Sequence, residues 1–466
     1  MNQPPKKFGV QKIGVIGAGA MGAGIGQIAA QAGCLVTISD VSQEALAKGQ
    51  ASVQAALRAL QSKGKLGEGG ADAVLARLTW SANLEDHASA DLLIEAVIER
   101  ADIKRDLFAR LQAIAPGAIL ASNTSSLSIT ALAQGLAAPE RFCGFHFFNP
   151  APVMKLVEVV PGAATAPPIA ALLLETAKAW GKYPVLVRDV PGFIVNRLAR
   201  PFYGEGWRAL EEGVGPPEAI DAALRLGGGF RMGPLELGDL IGHDVNYSVA
   251  CSIHEAYFGR TRFVPALGQA RLVAAGRLGR KSGGGVYGPQ GAPQMAGKSE
   301  RAALAALPCH EGDGRSAAAW AQENQGPILL RDWAQPNCPI WIGSASQPGL
   351  DHAPALTEGT GAALPRLMLK DRPGGLVLRT WLQLANAAAD GLRDGIASPA
   401  DIDAAMVFGL NYPIGPLAWA DAYGPRRAVQ ALEAIAAETG ESMYQPSEIL
   451  RRAVFTGAPL NGDAHA

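Results

Sequence analysis

The chain has 466 residues, too many for one ordinary core at the usual ~100–200 residues per domain, so three or four units are expected. With 41 basic against 42 acidic residues and no long run of like charge, nucleic acid and membrane surfaces are poor partners. Cys34, Cys143, Cys251, Cys309 and Cys338 are scattered without a CxxC pair, which speaks against a zinc site or disulfide framework and fits a reducing cytoplasm. The residues before Lys12 are short of apolar character, so neither a signal peptide nor a spanning helix is expected.

The first element, Ile13-Gly14-Val15-Ile16, is a short apolar run ending in Gly17-Ala18-Gly19-Ala20-Met21-Gly22, after which an Ala-rich helical pattern continues to about Ala32. This strand, tight turn and helix fit dinucleotide binding. Gly17 permits the turn, Gly19 lets backbone approach a pyrophosphate, Gly22 allows close helix packing, and the helix N-terminus offers unpaired N–H groups. A second strand, Leu35-Val36-Thr37-Ile38-Ser39, ends at Asp40, placed to bind both ribose hydroxyls. Its carboxylate repels a 2′-phosphate and no arginine follows at Val41 or Ser42, so NAD is favoured over NADP. The plainer role for Asp40 is an N-cap on the next helix.

Strand-like runs at residues 91–97 and 118–122, with an amphipathic helix at 103–114 between them, imply a parallel, doubly wound sheet of Rossmann type. Ligands of such sheets bind beyond the carboxyl ends of strands. Glu99, Asn123-Thr124-Ser125-Ser126, and His146 after Phe142-Cys143-Gly144-Phe145 are then candidates for one crevice. The plainer alternatives are a helix cap for Ser125 before 127–132, a solvated helical pair for Glu99 and Lys104, and a structural histidine for His146.

The motifs Gly17-Ala-Gly-Ala-Met-Gly, Ser122-Asn-Thr-Ser-Ser-Leu127, His146-Phe-Phe-Asn-Pro150, Met154-Lys-Leu-Val-Glu158, Pro191-Gly-Phe-Ile-Val-Asn-Arg197 and Gly233-Pro-Leu-Glu-Leu237 resemble the L-3-hydroxyacyl-CoA dehydrogenase family. The resemblance runs from Ile13 to about Tyr287. It implies NAD as cofactor and an (S)-3-hydroxyacyl-CoA as substrate. It also implies that His146 is the catalytic base, Glu158 its carboxylate partner, and Ser125 and Asn196 contacts of the reacting oxygen. Glu99, Lys104 and Asn149 would lie at the cofactor, while Lys63 and Lys65 would meet coenzyme A phosphates. The chemistry is consistent: imidazoles titrate near neutrality, a carboxylate fixes the tautomer, and neutral donors polarise an oxygen without competing for its proton. A non-catalytic NAD-binding protein would have no need of His146, Glu158, Ser125 and Asn196 together.

Beyond Pro191 the spacing turns helical, and that helical domain recurs at an offset of 182: residues 191–239 and 373–421 share 16 identities without a gap. Asn196 becomes Leu378, so the second copy is degenerate and is expected to pack against the first. The expected order is a Rossmann-type NAD domain over 1–190 followed by two duplicated all-α domains, at 191–288 and 372–466. Residues 289–371 are a linker or small insert, where Cys309, His310 and Cys338 lack metal spacing. The two-copy form without a preceding hydratase domain resembles the bacterial enzymes of aromatic degradation. That implies (S)-3-hydroxyadipyl-CoA and phenylacetate catabolism, with 3-hydroxybutyryl-CoA as the alternative. Arg200 or Arg231 could meet an ω-carboxylate. A cytoplasmic protein, compatible with a homo-oligomer, completes the expectation.

Overall fold

The computed structural model describes residues 9–293, 297–299, 309–324, 329–332, 341–346, 356–358 and 366–462. Two compact units divide the chain: Met1–Ile194 with Ile396–Gly409, and Val195–Gly395 with Leu410–Ala466. No helix among the described residues is long and apolar enough to cross a membrane.

The first unit is built on eight strands: β1 (Lys12–Ile16), β2 (Leu35–Ser39), β3 (Leu78–Ser81), β4 (Leu92–Glu95), β5 (Ile119–Ser122), β6 (Phe142–Phe147), β7 (Leu156–Pro161) and β8 (Tyr183–Leu186). Their order is β3-β2-β1-β4-β5-β6-β7-β8. The first six run parallel and reverse their winding between β1 and β4, which opens the crevice that a doubly wound sheet offers a ligand. Parallel strands covered on both faces must be apolar throughout, and Leu92, Leu93 and Ile94 are fully buried.

Two expectations are corrected here. The sheet is not wholly parallel, because β7 runs antiparallel to β6 and β8 follows β7. A buried apolar run reads the same in either direction, so direction was invisible in the sequence. His146 also lies inside β6 instead of after it, directly opposite Glu158 on β7.

The second unit holds both helical copies except for Ile396–Gly409 of the second, which belongs to the first unit. The first copy includes the helices Arg200–Glu211, Pro217–Ala222, Pro234–Ile241 and His243–Ala256. The second includes Val377–Arg393, Pro416–Tyr423, Pro425–Thr439 and Glu448–Thr456. Val377–Arg393 is buried over nearly its whole circumference, as an all-round packed helix must be. Its Trp381 stacks on Phe230 of the first copy at 4.9 Å and donates to the carbonyl of Gly228 at 3.1 Å. The copies therefore pack on each other within this unit.

Between the copies lies a second sheet, where the sequence left linker and insert open. Its strands are β9 (Gly297–Ser299), β10 (Cys309–Glu311), β11 (Leu329–Arg331), β12 (Trp341–Ala345), β13 (Leu356–Glu358) and β14 (Arg366–Met368), in the order β10-β11-β12-β14-β13-β9.

Candidate functional site

The loop after β1 meets the demands of a bound pyrophosphate. Gly17 sits at φ 107°, and a Cβ there would come within 2.5 Å of the Ala96 carbonyl oxygen. A Cβ on Gly22 would stand 1.8 Å from the Gly17 carbonyl oxygen, whereas one on Gly19 would meet nothing within 4 Å. The helix Ala20–Gln31 starts at Gly19 without a side-chain cap, which leaves its first N–H groups for an anion. Asp40 accepts from the backbone N–H of Ala18 at 2.8 Å and of Ser42 at 2.9 Å, which fixes its carboxylate beside the loop. The cap of the following helix is Ser42, not Asp40, because the Ser42 hydroxyl accepts from Ala45. These residues fit the dinucleotide they were assigned to.

Next to that loop, β4 and β5 end in a polar network. Lys104 is 1% exposed and donates through Nζ to Glu95 at 2.6 Å, with Glu99 at 3.1 Å. Ser122 donates to the other oxygen of Glu95 at 2.7 Å. A solvated helical pair is thus excluded: burying an ammonium is tolerated only where carboxylates meet it. Glu99 gathers the segment after β5, its Oε1 accepting from the Thr124 hydroxyl at 2.6 Å, the Ser125 N–H at 2.9 Å and the Ser126 hydroxyl at 3.0 Å. Burial alone would raise the Glu99 carboxyl, but Lys104 and the bonds from Thr124 and Ser125 bring it below its ordinary range. Ser125 is not a helix cap. The short helix there is Ile129–Leu132, capped by Ser128. Sequence reasoning missed Glu95, whose signal was a carboxylate inside an apolar strand with a lysine nine residues on.

On the neighbouring strand His146 Nδ1 lies 2.7 Å from Glu158 Oε2, with His146 6% and Glu158 1% exposed. The second oxygen of Glu158 accepts from the Ile194 N–H at 3.0 Å. The rings of Phe148 and Phe193 flank the imidazole at 4.5 and 5.9 Å. The Asn123 side-chain oxygen accepts from the Phe147 N–H at 2.8 Å and so ties the end of β5 to β6. One imidazole nitrogen is engaged by a carboxylate that is itself anchored to backbone, and Nε2 is the nitrogen that can exchange a proton.

Asn149 is exposed just past β6. Lys63 and Lys65 are exposed where the helix Gln43–Ser62 ends, and among the described residues no hydrogen bond joins them to the other candidates. Asn196 belongs to the second unit, in the turn Val195–Leu198, where its carbonyl accepts from Arg200 Nε at 2.8 Å. Arg200 is buried over the Tyr203 ring at 4.9 Å, while Arg231 is exposed. Among the described residues no disulfide joins Cys34, Cys143, Cys251 or Cys309, and Cys338 lies outside the described residues. His310 stacks on Trp320 at 4.9 Å.

The family model for the 3-hydroxyacyl-CoA dehydrogenase NAD binding domain matches residues 12–190. That for the C-terminal domain of the same enzymes matches twice, at 192–288 and 374–460. An Escherichia coli K12 protein named 3-hydroxyadipyl-CoA dehydrogenase is 43% identical over 461 residues, 95% of this chain and 97% of its own. A solved Escherichia coli K12 structure described as 3-hydroxybutyryl-CoA dehydrogenase covers 96% of this chain and 99% of its own at 40% identity and TM-score 0.89. A probable 3-hydroxybutyryl-CoA dehydrogenase of Deinococcus radiodurans is 44% identical over 277 residues, spanning 59% of this chain but 99% of its own. The chain therefore belongs to the 3-hydroxyacyl-CoA dehydrogenase family and is an NAD-dependent oxidoreductase.

Proposed function

We propose that His146 is the general base of this chain, paired with Glu158, and that the substrate is (S)-3-hydroxyadipyl-CoA, oxidised to the 3-oxo thioester. The observation that carries the mechanism is the 2.7 Å contact between His146 Nδ1 and a Glu158 that also holds the Ile194 N–H. NAD⁺, when bound, supplies the hydride acceptor. The chain's residues do the rest. Nε2 of His146 takes the hydroxyl proton, and Glu158 stabilises the imidazolium as it forms. Ser125 and Asn196 hold the reacting oxygen with neutral donors.

Glu99 presents the 124–126 segment and lies toward the cofactor with Asn149. Lys104, buried against Glu95 and Glu99, is a positioning residue that acts through them. Lys63 and Lys65 would meet coenzyme A phosphates. The adipyl assignment is supported by similarity along the whole chain to the Escherichia coli protein of that name. A butyryl substrate is the second reading, favoured by the names of the other two relatives. Arg200 is committed to backbone carbonyls of Asn196 and Asn246, which leaves the exposed Arg231 as the better cation for an ω-carboxylate.

Comparing kcat/KM for (S)-3-hydroxyadipyl-CoA and (S)-3-hydroxybutyryl-CoA tests the substrate, and a preference for the butyryl thioester overturns the adipyl reading. The reading includes a cytoplasmic enzyme in aromatic-acid breakdown. It is also compatible with a homo-oligomer, which sedimentation at two concentrations checks.

A further inference from the structure

The duplication in this chain starts well before the helical domain. Strands β10, β11, β12 and β14 have the order and directions of β5, β6, β7 and β8: the first pair parallel, the second antiparallel, the third parallel. Register agrees as well. Gly144 of β6 pairs with Ser122 and Val160, and Leu330 of β11 pairs with His310 and Ser344. Two residues further on stand His146 and Asp332. Opposite His146 is Glu158, which pairs with Val185. Opposite Asp332 is Ile342, whose carbonyl accepts from the Asp332 N–H at 2.9 Å and which pairs with Leu367. Val185 precedes Pro191 by the same six residues that separate Leu367 from Pro373.

Side chains agree independently of the ladders. Asp189 accepts from the N–H groups of Ile129 at 3.0 Å and Thr130 at 2.8 Å, at the start of a helix capped by Ser128. Asp371 accepts from those of Ala317 and Ala318, both at 2.8 Å, at the start of a helix capped by Ser316. Ser128 follows Ser122, and Ser316 follows His310, by six residues in each case. A small mixed sheet can repeat strand directions by chance. A common register, a common cap and a common aspartate clamp together are not explained that way. The region between β12 and β14 departs from the pattern: it holds β13 where the first half has the helix Pro167–Ala179.

Several backbone links are also exchanged between the halves. The Arg188 N–H donates to the Ile396 carbonyl at 2.8 Å, and the Lys370 N–H to the Val214 carbonyl at 2.9 Å, where 370 and 396 are the partners of 188 and 214 at the offset of 182. Arg197 pairs with Asp394 and Arg379 with Glu212, again at partner positions. Such reciprocity, with i meeting j and j meeting i, is the signature of an isologous interface between two protomers.

We infer that residues 309–460 are a reduced second protomer fused to the first, carrying β5 to β8 and the helical domain but not β1 to β4, with its reaction site converted into a brace at Asp332. In place of His146, Glu158 and Asn196 it has Asp332, Ile342 and Leu378. Asp332 is 6% exposed and accepts from the N–H groups of Leu376, Val377 and Leu378 at 2.7, 2.6 and 2.8 Å, so it pins the start of the second copy's long helix. Leu376 is the counterpart of Ile194, which Glu158 holds in the first half. Ile342 is fully buried against Gly227 of the first helical copy. The cavity beside Asp332 and Ser344 measures about 20 Å³, room for one water and for no thioester. The equivalence rests on backbone register and stands whether or not His146 is the base.

Titration of the full chain with acetoacetyl-CoA, in the presence of NAD⁺, is expected to saturate at one equivalent per chain. Saturation at two overturns the inference. Asp332→Asn is expected to lower Tm by roughly 3 °C or more while leaving kcat/KM at 25 °C within about 3-fold. An unchanged Tm, or a larger kinetic change in the folded variant, removes the brace. If that variant does not fold, Ser344→Ala, which takes one bond from Asp371, replaces it with the same kinetic criterion.

Discussion

In the first half, one carboxylate, Glu158, holds both an imidazole and the segment that follows Pro191. In the second, Asp332 holds only the segment after Pro373. The comparison separates two duties that coincide in the first half. Holding a helix start requires a buried carboxylate and nothing more, since backbone N–H groups satisfy it. The imidazole is the part that the fold does without. The same contrast appears in backbone: Phe193 occupies φ 49° where its counterpart Gly375 sits at 62°. A left-handed non-glycine residue costs about 1 kcal/mol or more, and here it is kept 5.9 Å from the histidine.

The largest effect expected is at the imidazole. His146→Ala should lower kcat by at least the ~10²–10⁴-fold of a lost general base, with NAD⁺ affinity by fluorescence titration unchanged. An active variant would break the comparison at its root. The exchanged ion pairs sharpen it next. Arg379→Met takes the cation 3.0 Å from Glu205, which keeps Arg208, Arg372 and the Tyr444 hydroxyl but is only 1% exposed, and should cost about 3 kcal/mol in urea unfolding because so little water can replace what is lost. Arg197→Met leaves Asp394, which retains Arg260 and Arg393, and should cost about 1 kcal/mol. Equal losses would contradict that asymmetry.

Among the described residues only the first half has a nucleotide loop, so Gly19→Ala should weaken NAD⁺ binding about 10-fold without moving Tm. Gly22→Ala should instead impair folding, because its Cβ has no space.

The last expected effect is a difference in pH slope. Glu99 is held below its ordinary range, so its contribution is present at neutral pH and is lost as pH falls through its folded pKa. Asp332 is pushed up to about 6 by burial, against which its three N–H donors pull. Its folded form binds the proton first, so stability from this group rises as pH falls through about 6 toward the unfolded value. Relative to Asp332→Asn, the parent chain should gain roughly 1–2 kcal/mol between pH 7 and 4.5. A constant difference across that range would show that Asp332 does not titrate there.

Much of the first unit was legible. Gly17, Gly19, Gly22 and Asp40 stand where a strand, turn and helix pattern put them, and the pairing of His146 with Glu158 was implied by the family motifs. The direction of β7 was not legible, nor was the burial of Lys104, since only the folded chain brings Glu95 and Ser122 to it. The helical repeat was readable because its offset stays at 182. The copied strands were not. Their offset falls from 188 at Ser128 and Ser316 to 186 at His146 and Asp332 and 184 at Glu158 and Ile342. Each connection has lost two residues and few identities remain, so an ungapped comparison finds nothing. Hydrogen-bond register tolerates such loss because it depends on backbone, while side chains on a silent strand are free to drift.

The exchanged links from Arg188 to Ile396 and from Lys370 to Val214 lie on one polypeptide. Two separate chains meeting through the same face would come apart on dilution, and mutants of one could be diluted by unaltered partners. Here the encounter is intramolecular, with an effective concentration set by the connecting chain instead of by expression level. Stoichiometry is fixed at synthesis, and a substitution in the silent half is always inherited together with the catalytic half that it supports.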